Sequence, residues 1–547
     1  MSGANSRNNT ISRTEFLRYM GIIAGSTITA LQFDACNSPE DKYSHISGRI
    51  VGADAKAGHM FRDGIKAIPT VTAEIETVIV GTGIAGLAAA RTLNKAGKAF
   101  RVLELENHAG GNASYGSNQY SRYPLGAHYL PLVNLDNKPL LELLSEAGII
   151  TGFNDKGIPV YNEPDLCADP MERLWINDRW QDGLIPQFGV GEQAAGEIKR
   201  FLQLMETYKQ TKGKDNKYAF DIPMMESSRD AEFLQLDQQT MAHFMSRQGF
   251  SSAELLWYVD YCCRDDYGAG MDKVSAWAGI HYFASRKGKA ANAESSQVLT
   301  WPEGNGHLME YLLQFAKPSL QTGCIVYKIS RHKNKIHIDY WDTAKHQAGR
   351  LIAANCILAV PQFIASRLLG TTSPIPEQYS PWLVASMVLD HVPDAMGRGL
   401  SWDNVFYKGK SLGYVYAQQQ QLAGIYPEKQ LITYYLPLDQ LDPVESRKYA
   451  LNLAFPQWKK LIVDDLETVH PGIHKHISSL EVCLWGHAMV RPVQGLISGR
   501  LLSPRLALEN FPGVYFAHSD LSGISIFEEA FYHGNNAANA IIRRNNS

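Results

Sequence analysis

Val78-Ile79-Val80-Gly81-Thr82-Gly83-Ile84-Ala85-Gly86 places three glycines between a short apolar run and an alanine-rich stretch. The apolar run predicts a buried strand over 76–80, and the alanine-rich stretch a helix over 85–96 that closes at Gly97. Residues 100–105 predict the next strand, which completes a βαβ unit. In this spacing Gly81 permits the tight turn, Gly83 lets a phosphate approach the backbone, and Gly86 lets helix and strand pack closely. Ile84 and Ala85 open the helix, whose N–H groups and positive dipole end suit a pyrophosphate. Glu104 ends the second strand, 18 residues after Gly86, where a carboxylate accepts ribose hydroxyl bonds. The fold class that follows is α/β, with a Rossmann-like dinucleotide-binding domain.

The rest of the chain bounds this reading. Its 547 residues amount to three or four domain equivalents of about 150 residues, or to a large two-domain enzyme with interleaved segments. With 45% hydrophobic and 20% charged residues it has ample core material, which excludes wholesale disorder. Lys plus Arg number 52 and Asp plus Glu 55, a formal charge of -3, so a net basic field for nucleic acid is absent. Beyond the N-terminus no run of about 18 apolar residues occurs, which excludes a polytopic membrane protein. The seven cysteines contain no CxxC pair, and the 17 histidines are scattered. No metal site is expected.

The N-terminus resembles an export signal. Arg7, Arg13 and Arg18 precede a mostly apolar stretch over 19–31. Residues 12–18 resemble the twin-arginine motif, with Thr14 in place of the second arginine. Cys36 follows Ala35 as at a lipoprotein cleavage site, although Asp34 departs from that pattern. Residues 1–36 are thus expected to export the chain to the periplasm or anchor it to a membrane as a lipoprotein. A cytoplasmic protein with a retained N-terminal helix is the alternative. Residues 37–70, polar and weakly periodic, read as a linker.

A second glycine pair, Gly110-Gly111, follows Glu104 closely. Near the C-terminus Gly513-Val514-Tyr515-Phe516-Ala517-His518-Ser519-Asp520 leads to Phe527-Glu528-Glu529-Ala530 and His533-Gly534-Asn535-Asn536. This closing segment resembles that of the flavin-containing amine oxidoreductases, a superfamily that includes polyamine oxidases and phytoene desaturases. Tyr123-Pro124-Leu125-Gly126-Ala127-His128 resembles the family's Gly-Ala segment beside the flavin ring. Trp301-Pro302-Glu303-Gly304-Asn305-Gly306 and Cys356-Ile357-Leu358-Ala359-Val360-Pro361 resemble its turn before a helix and its strand ending in Ala-x-Pro. The resemblance covers 77–130, 301–361 and 513–541. It implies FAD as cofactor, with Gly126 and Ala127 beside the ring and Val326 at the adenine. Asp520 would lie at the ribityl or pyrophosphate part, and Phe527 near the isoalloxazine. Asn112 stands where amine oxidases carry arginine.

The FAD-binding domain is then expected over 71–134, 301–370 and 500–547, interleaved with a mixed α+β substrate domain over 135–300 and 371–499. In the family a C–H beside nitrogen leaves as hydride to the flavin, and protein groups orient the amine within an aromatic cage. Trp485 and His487 in Trp485-Gly486-His487, with His128, are the pocket candidates. Tyr434 and Tyr435 alternate on a strand, so at most one faces a cavity. Asp265 and Asp266, within Arg264-Asp265-Asp266-Tyr267-Gly268, read either as carboxylates for a cationic amine or as a helix-end ion-pair and capping cluster. Trp402-Asp403-Asn404 reads as a turn. A family lysine near the flavin has no counterpart over 384–392.

The expected function is FAD-dependent oxidation of an amine, polyamines among them, with O2 or a quinone as electron acceptor. A flavin desaturase of a carotenoid- or lipid-like substrate is the alternative. A substrate-side carboxylate favours amines; a long apolar tunnel favours desaturation. A flavin-bearing binding subunit would have no cavity open to the flavin face.

Overall fold

A computed structural model describes residues 42–371, 377–393, 395–420, 428–503 and 511–546. The chain divides into two compact units, Met1–Ser44 and His45–Ser547. Of the first, residues 42–44 are described and form a turn. The expected export motif and Cys36 lie outside the described residues. No helix among the described residues is long and apolar enough to cross a membrane.

Two large sheets organise the second unit. The seven-stranded sheet runs Leu320–Gln321, Phe100–Leu103, Val71–Val80, Gln347–Leu358, Lys335–Asp342, Cys324–His332, with Val514–Phe516 also pairing Gln347–Leu358. Its centre is parallel: Thr77–Val80 lie in register with Phe100–Leu103 on one side and with Asn355–Leu358 on the other. Strands buried on both faces read as continuous apolar runs. Here Val78 and Val80 join one apolar cluster with Leu103, Ile338 and Leu358, while Ile79 joins another with Leu87, Val102, Ile357 and Phe531. Helix Ile84–Lys95 packs on the second face, where Gly534 of the last helix, Phe527–Asn546, lies so close that an added Cβ would sit 2.2 Å from the Ala85 carbonyl oxygen.

The eight-stranded sheet runs Ser47–Val51, Ile477–Val490, Tyr379–Leu389, Gln430–Pro437, Gly413–Tyr416, Asp403–Phe406, Glu172–Ile176, Arg179–Asp182. Helices from the middle of the chain cover one of its faces, among them Glu192–Gln210, Ala253–Tyr267 and Ala276–Ala284. Trp382, Val384, Tyr435 and Cys483 of this sheet pack with Tyr261 and Cys262 of helix Ala253–Tyr267.

Two expectations change. The 37–70 stretch is not merely a linker. Ser47–Val51 pairs in parallel with Ser479–Cys483 at the edge of the large sheet. Helix Ala55–Asp63 follows, capped by Asp54, and buries Ala57 and Phe61 against Val78, Val80 and Leu103. Its strand is exposed on nearly every residue, so no period-2 signal marks it. Residues 402–404 do not form a turn, since Asp403 and Asn404 start the strand Asp403–Phe406.

Candidate active site

The glycine turn forms a cradle. Gly81 has φ +99°, and a Cβ there would lie 2.5 Å from the Ala359 carbonyl oxygen; at Gly86 it would lie 2.0 Å from that of Gly81. Only glycine fits either place. At Gly83, the N-cap of helix Ile84–Lys95, a Cβ would meet nothing within 4 Å. The open side of the turn is therefore the one a phosphate would use. Glu104 Oε2 accepts the Thr82 N–H at 2.7 Å and the Thr82 hydroxyl at 2.5 Å, and Oε1 accepts the Glu106 N–H at 2.9 Å. The carboxylate thus fixes the turn as well as standing where a ribose would bind.

Gly110 and Gly111, at φ +127° and +54°, bring their loop against Gly83. Asn112 carries the loop to the next segment: its carbonyl oxygen accepts the Ala127 N–H at 2.9 Å, and a Cβ on Gly126 would lie 2.4 Å from that oxygen. Its side chain donates to the Ala488 carbonyl oxygen at 2.5 Å. Asn112, in place of arginine, thereby ties the dinucleotide loop to the large sheet. Val326 is buried in a strand of the smaller sheet. Asp520 is buried after Val514–Phe516, and its carboxylate accepts the Gln362 N–H at 2.9 Å and the Tyr379 hydroxyl at 2.5 Å. Burial works to raise its pKa, yet His518 beside it and these donors hold it below the ordinary value. Its oxygens are largely spent on the protein.

Several buried polar atoms among the described residues lack a partner, among them the Ser114 hydroxyl, Asn305 Oδ1 and both side-chain amide atoms of Gln362. Gln362 begins the helix after Pro361, next to the Ala359 that packs on Gly81. Buried polar groups left unpaired are costly. A polar ligand reaching them would supply partners. The glycine cradle and these atoms fit a dinucleotide.

A cleft with a cavity volume of about 150 Å³ opens beside Gly126, Ala127 and Phe527. Its walls are aromatic and charged, with His128, Tyr129, Trp382, Tyr435, Trp485, Asp265, Asp266, Arg286 and Glu528 among them. The His128 ring centre lies 4.3 Å from that of Tyr435 and 5.7 Å from that of Trp402. Enclosure pushes its pKa down to about 4 against the opposing Gly126 carbonyl, so it is neutral at pH 7. Tyr435 faces the cleft and donates to the Gly126 carbonyl oxygen at 3.3 Å, while Tyr434 turns away to Asp465 at 2.9 Å. A shallower groove beside helix Glu192–Gln210 contains none of these residues.

Of the three pocket candidates, Trp485 and His128 line the cleft and His487 does not. His487 is exposed and stacks on Phe363 at 4.6 Å. Ser380 pairs with Met489 and Trp382 with Trp485, so three residues, Gly486, His487 and Ala488, stand opposite the single residue Pro381. This irregularity at Pro381, which has no N–H to donate, breaks the alternation that would set His487 on the side of Trp485.

The ion-pair and capping reading of residues 264–268 holds for Arg264, Asp266 and Gly268. Arg264 pairs with Asp439 at 2.7 Å, and Gly268 ends the helix in the left-handed region. Asp265 and Asp266 line the cleft. Arg286 Nη2 lies 2.8 and 2.9 Å from the two oxygens of Asp266. Asp265 has the Tyr129 hydroxyl at 3.5 Å. Glu528 is 5% exposed, and burial pushes its pKa up to about 7. Arg286 and Tyr129 were not singled out from the sequence. They are 20 and 136 residues from the carboxylates they meet, and no local pattern joins them. Among the described residues no group of three or more His, Cys, Asp or Glu could hold a metal ion.

The NAD(P)-binding Rossmann-like domain model matches residues 79–147. A search of curated proteins finds no match to the chain. Among solved structures, putrescine oxidase bound to putrescine is similar, with TM-score 0.62 and 16% identity over 86% of this chain and 100% of that one. The chain shares its fold with that protein. Cyclohexylamine oxidase from Brevibacterium oxydans IH-35A gives TM-score 0.61 and 13% identity, covering 87% of this chain and 100% of its own. A fatty acid isomerase from P. acnes that produces CLA gives 0.57 and 17%, over 86% and 98%. In this chain the glycine turn follows a strand of the seven-stranded sheet, and Trp382, Val384, Tyr435 and Trp485 of the eight-stranded sheet form part of the cleft wall.

Proposed function

We propose that the chain is an FAD-dependent oxidoreductase that oxidises an amine, polyamines among its substrates. The carrying observation is that Asp265 and Glu528 line an otherwise mainly aromatic and apolar cleft beside the dinucleotide loop, with no ion-pair partner within 4.0 Å among the described residues. Arg286 neutralises Asp266, so the cleft keeps a surplus of acidic groups that suits a cationic substrate. His128, Tyr435, Trp382 and Trp485 offer ring faces that attract and orient an alkylammonium group. FAD, when bound, would supply the hydride acceptor. The protein's part is to hold the dinucleotide through Gly81, Gly83, Gly86, Glu104 and the 110–111 loop, to orient the amine, and to exclude water around it. Putrescine oxidase and cyclohexylamine oxidase, similar in fold, carry amines in their names and support this reading.

The test is anaerobic mixing of the FAD-loaded chain with a panel of amines and lipids while the flavin absorbance is followed. Bleaching by an amine is the expected result. Bleaching by a lipid alone would replace the amine by the desaturase reading. O2 and quinones are then compared as reoxidants. We read the chain as exported, with 1–36 as its signal. Fractionation of cells expressing the full chain checks this, and a purely cytosolic protein would refute it.

A further inference from the structure

We propose that Asp265 is the catalytic residue that accepts the proton of the bound ammonium group, an inference that rests on the amine reading above. An amine can give up hydride only from its free-base form, and alkylamines with pKa values of about 10 are protonated at neutral pH. The enzyme must therefore remove a proton inside a closed site. The step is R–NH3+ plus Asp265 carboxylate giving R–NH2 plus Asp265 carboxylic acid. One N–H bond breaks, one O–H bond forms, and the pair stays neutral overall.

Geometry selects Asp265 from the three carboxyls of the cleft. Both oxygens of Asp266 are taken by Arg286. Burial raises Glu528 to about 7 as well, but it is 5% exposed in the first turn of helix Phe527–Asn546, whereas Asp265 is only half-buried and so the more open to a substrate. Among the described residues Asp265 has a single side-chain hydrogen bond, from the Tyr129 hydroxyl at 3.5 Å, and it lines the cleft. Its surroundings favour proton uptake. Glu172 and Asp403, in register on neighbouring parallel strands, face it from the large sheet, and Asp266 adjoins it on its own helix. Arg286 opposes them from the segment after helix Ala276–Ala284. The remaining titratable neighbours, Tyr261 and Cys262 on its own helix, Tyr282 and Tyr435, are neutral at pH 7, since burial raises every one of them. Enclosure first, and the charge of Asp266 second, raise the Asp265 carboxyl to about 7. A base with a pKa near the working pH can both take a proton and release it.

The test is anaerobic stopped-flow reduction of the FAD-loaded full chain by cyclohexylamine and by putrescine across pH 6–10. The parent should show a rising limb near pH 7. Asp265→Asn should reduce flavin about 100-fold more slowly at pH 7 and approach the parent rate near pH 10, where free amine exists in solution. Tyr129→Phe removes a donor to the carboxylate and should move the limb to higher pH. Glu528→Gln should keep the limb. A readout independent of turnover uses tert-butylamine, which has no C–H beside nitrogen. Its binding should produce a protonated-carboxyl infrared band in the parent and none in Asp265→Asn. Parallel pH profiles for parent and Asp265→Asn, or loss of the limb in Glu528→Gln alone, would overturn the proposal. Should Asp265→Asn fail to fold, an unmoved limb in Tyr129→Phe overturns it. If no amine reduces the parent flavin, the amine reading fails and this inference falls with it; parent reduction with an unaltered Asp265→Asn profile sinks the inference alone.

Discussion

Arg286 places one guanidinium nitrogen 2.8 and 2.9 Å from the two carboxylate oxygens of Asp266. Asp266 is buried and Arg286 partly so. Removing one member of such a pair strands the other charge away from water. Arg286→Leu should therefore destabilise the protein by about 3 kcal/mol. The double variant Asp266→Leu, Arg286→Leu should lose less than Arg286→Leu alone, because no charge is left unpaired. Chemical denaturation of the parent and both variants checks this, and a double variant that loses as much as Arg286→Leu or more would refute the coupling.

Glu104 holds the glycine turn, since one oxygen accepts both the N–H and the hydroxyl of Thr82, and under the proposed function it also binds the FAD ribose. Glu104→Ala should weaken FAD binding by about 1.5–3 kcal/mol, the worth of a charged hydrogen bond. Glu104→Gln keeps an acceptor for Thr82 and should lose less. Flavin titration of the apoprotein measures both. Equal affinity of parent and Glu104→Ala would remove the residue from the dinucleotide site.

Trp485 and His487 should now behave differently. Trp485 lines the cleft, and its indole N–H donates to the Leu125 carbonyl oxygen at 2.6 Å. Trp485→Ala should cost about 0.5–2 kcal/mol in amine binding through loss of a ring face. His487→Ala should leave flavin reduction unchanged, because the ring stacks on Phe363 outside the cleft. Stopped-flow reduction of both variants decides. A larger loss from His487→Ala would return that residue to the pocket.

The contrast between these two residues shows where a sequence stops being informative. Val78–Val80 and the three glycines were legible because a doubly buried strand and a tight turn restrict residue type at each position. Helix and strand in that unit came within a few residues of their predicted bounds, at Ile84–Lys95 and Phe100–Leu103. Trp485 and His487 read as pocket candidates because they stand close together in the chain, and the irregularity opposite Pro381 separates them. The strand Ser47–Val51 was invisible because an exposed edge strand has no alternation to detect. Asp265 and Asp266 were visible as residues, but their choice between capping and substrate depended on Arg286 and Tyr129, brought to them only by the tertiary fold.

Among the described residues no cysteine lines the cleft. Cys483, the nearest upstream of the C-terminal flavin segment, is fully buried, and its sulfur lies where a Cβ on Gly52 would be 2.3 Å away. The six described cysteines are all buried and free. FAD should therefore be bound without a thioether bond. Acid precipitation should release all flavin into the supernatant. Flavin left on the chain would sink this, and loss of that attachment in His128→Ala would trace it to the histidine in the cleft.

Helix Ala253–Tyr267, which carries Asp265 and Asp266, is anchored at its start by Glu197 of the neighbouring helix. One Glu197 oxygen accepts the N–H groups of Ser251 and Ser252, each at 2.8 Å. Burial works to raise the Glu197 pKa, but these donors outweigh it and hold it at about 2, against an ordinary value of 4.5. A carboxylate whose pKa is depressed by folding stabilises the folded state at pH values above its unfolded pKa. That contribution is lost as pH falls through the folded value. Glu197→Ala should cost about 1–2 kcal/mol at pH 7, through two hydrogen bonds to a charged acceptor. The gap between parent and variant should persist to about pH 5 and shrink between pH 4.5 and 2 as the parent carboxylate takes up its proton. Thermal unfolding of both proteins across this range measures the gap. A gap that stays constant down to pH 2 would mean that the lost packing of the side chain, and not its charge, holds the start of the helix.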